Sequence, residues 1–192
     1  DAIGQRLRSV RFREVLQAAL DTAGWQRPKP GPNYGRGVAL FGRHIGGGPT
    51  GLILTAEPDA TFTVLSPTFD QGSGTHTILQ QLVAQEMQVR IQQVRVAAGD
   101  TDTAPYDTGA RASRMTYVAG CAVAQACGQL RVQLMARAAH MLECPPEEVD
   151  YSNGKFWRRE EPSQQVSLRK GVAQAGGPLS VSVKEEPPNP DD

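Results

Sequence analysis

A chain of 192 residues exceeds the roughly 100–150 typical of one domain and is short for two. Twenty Lys and Arg balance twenty Asp and Glu, so neither a nucleic-acid nor an anionic-membrane footprint is indicated. No run approaches the ~18 apolar residues of a membrane-spanning helix, nothing at the N-terminus reads as a signal peptide, and three cysteines are too few for a disulfide scaffold. That cysteine count suits a reducing compartment, the cytoplasm. The sequence starts on Asp1 rather than Met, as expected of a piece of something longer.

A first helix is predicted over residues 5–23, where Leu7, Val10, Val15, Leu16, Ala19 and Leu20 form an apolar stripe. Gly24 stands where a left-handed C-terminal cap belongs, with Trp25 placed to fold back on the last turn. QRPKPGPNYGR, residues 26–36, is a linker or long surface loop. Three strands are predicted at 38–41, 52–56 and 61–66, separated by GRHIGGGPTG and EPDA, and the turns suggest an antiparallel meander. After the glycine loop 70–74, Ile78, Leu79, Leu82, Val83 and Met87 recur at helical spacing and predict a helix over 76–88. A strand at 94–97 runs into the polar loop GDTDTAPYDTGARAS. The longest helix is predicted from about Ser113 to Leu142, and its small residues around Ala119–Gly128 suit close packing. Residues 149–157 read as a hairpin turning at Asn153-Gly154, residues 165–175 as a short helix, and 184–192 as a frayed tail.

Strand, glycine loop and helix together place free backbone N–H groups and a helix dipole where an anion can sit. That order occurs around Gln71, Gly72, Ser73, Gly74, Thr75, His76 and Thr77, and again, more loosely, around Thr108, Gly109, Ala110, Arg111, Ala112 and Ser113. The alternative is two ordinary turns with Ser and Thr caps. Neither loop has the spacing GxxxxGK[ST] or GxGxxG, which excludes both nucleotide fingerprints. Cys121 and Cys127, six apart, face different sides of a helix and read as small buried hydrophobes. His44, His76 and His140 are scattered, and Glu185 and Glu186 read as solvated charges. No catalytic acid, base or metal-ligand set is visible from residue chemistry.

DQGSGTHTILQQLVAQEM, followed by VRVAAGDTDTAPYDTGARASRMTYVAGCAV, resembles the molybdenum-cofactor subunit of the xanthine dehydrogenase/aldehyde oxidase family. The likeness rests on GDTDT-x-PY at 99–106, the pair Ser113-Arg114 and Val118-Ala119-Gly120. The flanks fit as well, with the first helix ending in Gly-Trp and PPEEV preceding the hairpin. The resemblance implies that residues 71–77 and 108–113 contact the pterin and pyrophosphate of molybdopterin, in bacterial members usually its cytosine dinucleotide form. It implies hydroxylation of an aldehyde or N-heterocycle with oxygen from water. It also implies [2Fe–2S] clusters and FAD on partner domains or subunits.

The family's GQG glutamine falls on Ser73, whose reach is several ångströms shorter, with Gln71 the nearby candidate substitute. The family's catalytic Gly-Glu motif and its GGxFGxK-type loop have no counterpart; HIGGGPTG at 44–51 lacks the Phe and Lys.

The sequence thus predicts an α+β fold of the molybdenum-cofactor-binding domain type, a mixed or antiparallel sheet packed by two long helices. Residues 1–183 are expected to form one domain of a larger subunit, and residues 184–192 a flexible tail. Expected partners are the remaining domains of that subunit, iron–sulfur and flavin subunits, and a small-molecule substrate. The rival readings are a non-catalytic binding or assembly module, favoured by Ser73, and a reductive relative acting on an aromatic thioester.

Overall fold

The computed structural model describes residues 10–42 and 45–186. The chain divides into a unit ending at Ile45 and a unit spanning Gly46–Pro188. In the first, helix α1 (Phe12–Thr22) is amphipathic but buries none of its residues. Gly24 adopts a left-handed φ of 60°. Its N–H donates to Asp21 O, and that of Trp25 to Leu20 O at 2.9 Å, which completes the predicted cap. The five residues predicted as the helix start, 5–9, lie outside the described residues, as do His44 and residues 187–192. Residues 26–36 are irregular, and the Arg36 guanidinium ties them back on the carbonyls of Trp25 and Pro28.

The second unit contains two sheets. β1 (Thr50–Ala56), β2 (Phe62–Ser66), β3 (Val94–Ala98) and β7 (Leu179–Glu185) pair in the order β3-β2-β1-β7. β1 runs antiparallel to both β2 and β7, whereas β2 and β3 are parallel, so the sheet is mixed. The parallel step follows from α2 (Thr75–Glu86), a helical crossover that returns the chain to the starting end of the sheet. Leu52, Leu54, Ala56, Phe62, Val64, Leu179, Val181 and Val183 are all buried. Against them pack α2 and the 27-residue α3 (Met115–Met141), whose Ala119, Ala122, Ala126 and Cys127 permit the close approach the small residues promised. Burying each large apolar side chain contributes about 1.5–3 kcal/mol.

β4 (Val149–Ser152), β5 (Lys155–Arg158) and β6 (Glu161–Ser167) form an antiparallel meander, followed by α4 (Leu168–Ala173). Asn153 and Gly154 take φ of 48° and 73°, the type I′ turn expected of that dipeptide.

Three expectations are corrected. Residues 38–41 form no strand, and Val38, Leu40 and Phe41 stay exposed; apolar alternation alone supplies no pairing partner. The helix predicted over 165–175 is β6 followed by the shorter α4. β6 is polar and carries Pro162, which an edge strand accommodates. β7 takes in Lys184 and Glu185, which composition had assigned to the tail. Its alternation of buried Leu179, Val181 and Val183 with exposed Ser180 and Ser182 is a period-two signal the proline-rich ending masked.

Candidate functional site

Because β2 and β3 are parallel, the loops that leave them emerge at the same end of the sheet. β1, antiparallel to β2, begins at that end with Thr50. Three segments therefore meet there: 67–77, 99–114 and 46–50. Direct bonds join them. Gln71 Nε2 donates to Ala110 O at 3.2 Å, Gly46 N to Ala112 O at 2.7 Å, and Thr108 Oγ1 to Pro49 O at 2.8 Å. The two glycine loops picked out in the sequence are neighbours.

In the first loop three of the donors at and before the α2 N-terminus already have an anion. Asp70 Oδ1 accepts from Gly72 N at 2.9 Å and Gly74 N at 3.1 Å, and Oδ2 from His76 N at 3.3 Å. Desolvation pushes the Asp70 carboxyl up, but the three N–H groups and the His76 ring outweigh it and hold its pKa below the ordinary value. Gly72 and Gly74 are left-handed, at φ 96° and 78°, which lets the chain wrap around that carboxylate. The side chains are engaged among themselves. Ser73 Oγ lies 2.9 Å from Thr75 Oγ1, and His76 Nε2 3.0 Å from Thr68 O. Thr75 is buried, while Gln71, Ser73 and Thr77 are exposed. The expectation of free backbone donors in both loops therefore fails at Gly72, Gly74 and His76, because an internal carboxylate has taken them.

The second loop is wired the other way. Four consecutive carbonyls, Gly109 to Ala112, each accept an internal hydrogen bond: from Arg114 Nη1, Gln71 Nε2, Arg114 N and Gly46 N in turn. The N–H groups of Ala110, Arg111, Ala112 and Ser113 find no acceptor among the described residues. Its acceptors are consumed and its donors are left over, which is the polarity an anion requires. Gly109, Ala112 and Ser113 all sit at positive φ, 95°, 48° and 56°, and two adjacent non-glycine residues there mark stored strain. The exposed Arg111 adds a cation beside these donors.

Behind the loop lies Arg114, fully buried and the first residue before α3. Its Nη1 pairs with the Asp107 carboxylate at 3.2 Å, and that carboxylate also accepts from Gly109 N and from the Thr50 hydroxyl.

A family described as "Molybdopterin cofactor-binding domain" matches residues 15–189. The chain belongs to that family. Over 165 residues this domain is 32% identical to the carbon monoxide dehydrogenase large chain of Hydrogenophaga pseudoflava, covering 76% of the chain and 20% of the relative. It is 33% identical over 147 residues to the probable hypoxanthine oxidase XdhD of Escherichia coli (strain K12), covering 73% and 15%. The solved structure of reconstituted CO dehydrogenase from Oligotropha carboxidovorans superposes with a TM-score of 0.76 at 21% identity, over 97% of this chain and 27% of that one. The domain thus spans about a fifth to a quarter of the length of such relatives.

Asp70, Asp107 and Arg114 organise this end of the sheet, and sequence reasoning assigned a role to none of them. Each had a signal: Asp two residues before a glycine is a turn former, and Arg at a helix start opposes the dipole unless a carboxylate answers it. Cys127 is buried as expected, and burial, then Glu86, push its thiol up to about 12. Cys121 is half-buried, and His140 is exposed in the last turn of α3. Among the described residues no group of three His, Cys, Asp or Glu could hold a metal ion. Nor is any described helix long and apolar enough to cross a membrane. A groove of about 810 Å3 lined by Asp59, Gln85, Arg90 and Arg169 lies at the opposite end of the sheet, away from both glycine loops.

Proposed function

We propose that this domain forms part of the cofactor site in the large subunit of a molybdenum hydroxylase. Residues 108–113 would grip the diphosphate of molybdopterin cytosine dinucleotide, and residues 71–77 would line its pterin side. The observation that carries this reading is the second loop, with four carbonyls consumed and the following four N–H groups left as donors. Such a donor set suits a dianionic diphosphate, and charge-assisted bonds of this kind are about twice as strong as neutral ones. When bound, the molybdenum centre supplies the redox chemistry that places an oxygen from water on a substrate carbon.

What this chain contributes is grip and orientation. Ala110, Arg111, Ala112 and Ser113 offer N–H groups, Arg111 offers charge, and Gln71 ties the two loops into one wall. At the position of the family glutamine, the Ser73 hydroxyl is hydrogen-bonded to that of Thr75, and Gln71 serves as the bridge to Ala110. The whole enzyme would act on a small aldehyde or N-heterocycle, in line with relatives named for hypoxanthine and nicotinate. Its remaining domains, iron–sulfur and flavin subunits would complete electron transfer in the cytoplasm.

The test is Arg111→Glu in the complete polypeptide, where an exposed side chain can change sign without disturbing the core. Molybdenum by elemental analysis and cytidine nucleotide released on acid treatment should both fall about tenfold, roughly 1.4 kcal/mol of lost attraction. Unchanged occupancy would contradict the proposed grip, and so would a wild-type polypeptide purified with neither molybdenum nor nucleotide.

A further inference from the structure

Arg114 has no access to solvent, and each of its five N–H bonds has an acceptor. Nε donates to Gly47 O at 3.0 Å, and Nη2 to Gly48 O at 2.8 Å and Pro49 O at 2.9 Å. Nη1 donates to Asp107 Oδ1 at 3.2 Å and to Gly109 O at 3.0 Å. One guanidinium thereby gathers three successive carbonyls before β1 and fastens them to both ends of the Asp107–Gly109 turn. The gathered strand then holds the rest of the loop. Pro49 O accepts from Thr108 N and Oγ1, and Gly46 N reaches Ala112 O. A Cβ on Gly46 would stand 2.6 Å from Ala112 Cβ, so the Ala112 methyl fills the space a side chain at position 46 would need.

We infer that Arg114, held by Asp107, is the positioning residue of the donor loop. By fixing residues 46–49 against residues 107–112 it draws the carbonyls inward and leaves the N–H groups of Ala110, Arg111, Ala112 and Ser113 for the ligand. The inference rests on the reading of this loop as the diphosphate grip. The chemistry selects arginine: the site has five acceptors in a fixed fork, and a lysine ammonium, with three donors on a flexible stem, cannot satisfy them. A buried ion pair adds little net stability by itself, since desolvation offsets most of its attraction. Its retention at full burial beside two strained residues fits a role in pre-organisation.

The experiment uses the 192-residue chain with inorganic pyrophosphate as probe, titrated by calorimetry and by backbone amide NMR. The wild type should bind, with shifts at Ala110 to Ser113. Arg114→Lys should weaken binding about tenfold or more, the loss expected when charge-assisted hydrogen bonds no longer converge. Asp107→Asn, which keeps an acceptor for Arg114, should lose less. Leu134→Ala in the α3 core serves as the destabilised comparison and should keep full affinity when folded.

Equal affinity of folded Arg114→Lys and wild type would overturn the positioning role and leave the grip standing. If Arg114→Lys does not fold, Asp107→Asn is read in its place under the same rule. If that fails as well, Gln71→Ala decides: exposed and unable to unfold the core, it frees only Ala110 O and should weaken binding about threefold to fivefold. Wild-type protein that fails to bind pyrophosphate would overturn the grip itself and the inference with it.

Discussion

The loops that open α2 and α3 leave parallel neighbouring strands, carry glycines at positive φ and touch through Gln71, yet they are finished in opposite ways. In the first, a carboxylate from the loop itself, Asp70, occupies three of the N–H groups a ligand could use, those of Gly72, Gly74 and His76. In the second, the buried Arg114 side chain, Gln71 and two backbone N–H groups occupy four successive carbonyls, and the N–H groups that follow them are left over. Glycine spacing alone cannot separate these cases, since it says where a backbone can bend and not whose acceptor fills the bend. Whether a helix start binds an external anion depends on whether the chain has already supplied one.

The largest effect that would break the comparison comes from Arg114→Leu. It strands the Asp107 carboxylate in a buried pair, and loss of one partner in such a pair typically costs about 3–5 kcal/mol, to be read as a fall in the urea midpoint. Next comes Gly46→Ala, whose methyl must displace Ala112. Overpacking of this kind costs about 1–3 kcal/mol and should also loosen hydrogen-exchange protection of Val118, the first residue of α3 bonded back to Arg114 O.

Asp70→Asn should lower stability only slightly, because the carboxylate is exposed, and should not reduce pyrophosphate affinity. The same residue gives a pH test. Its pKa is depressed on folding, so its contribution is complete above the ordinary value of 3.8 and is lost as pH falls through the lower folded value. Amide signals of Gly72, Gly74 and His76 should therefore hold down to pH 3.8 and change below it. Ser73→Gln is expected to have the smallest effect, holding or raising molybdenum occupancy in the complete polypeptide; a clear drop would mean the shorter side chain is itself a fitted contact.

Much of the fold was legible because its signals are local. α2 and α3 show apolar recurrence over more than three turns, and Asn153-Gly154 marks its hairpin by backbone conformation alone. Residues 38–41 and β6 misled for one reason: strand formation depends on a partner, so apolar 38–41 stays irregular and polar β6 pairs with β5. At the site, the loops could be found, but not the connection between them. Arg114 and Gly47 are 67 positions apart and Thr50 and Asp107 57, and only the order β3-β2-β1 brings them together.

The central claim is that the first loop spends three of its N–H groups on Asp70, whereas the second leaves four consecutive N–H groups, residues 110–113, without an internal acceptor among the described residues. Residue-resolved amide NMR of the 192-residue chain during pyrophosphate titration tests it most directly. Ala110, Arg111, Ala112 and Ser113 are expected to shift progressively while Gly72, Gly74 and His76 stay with Asp70. Saturating shifts at Gly72, Gly74 and His76, with residues 110–113 unmoved, would contradict it.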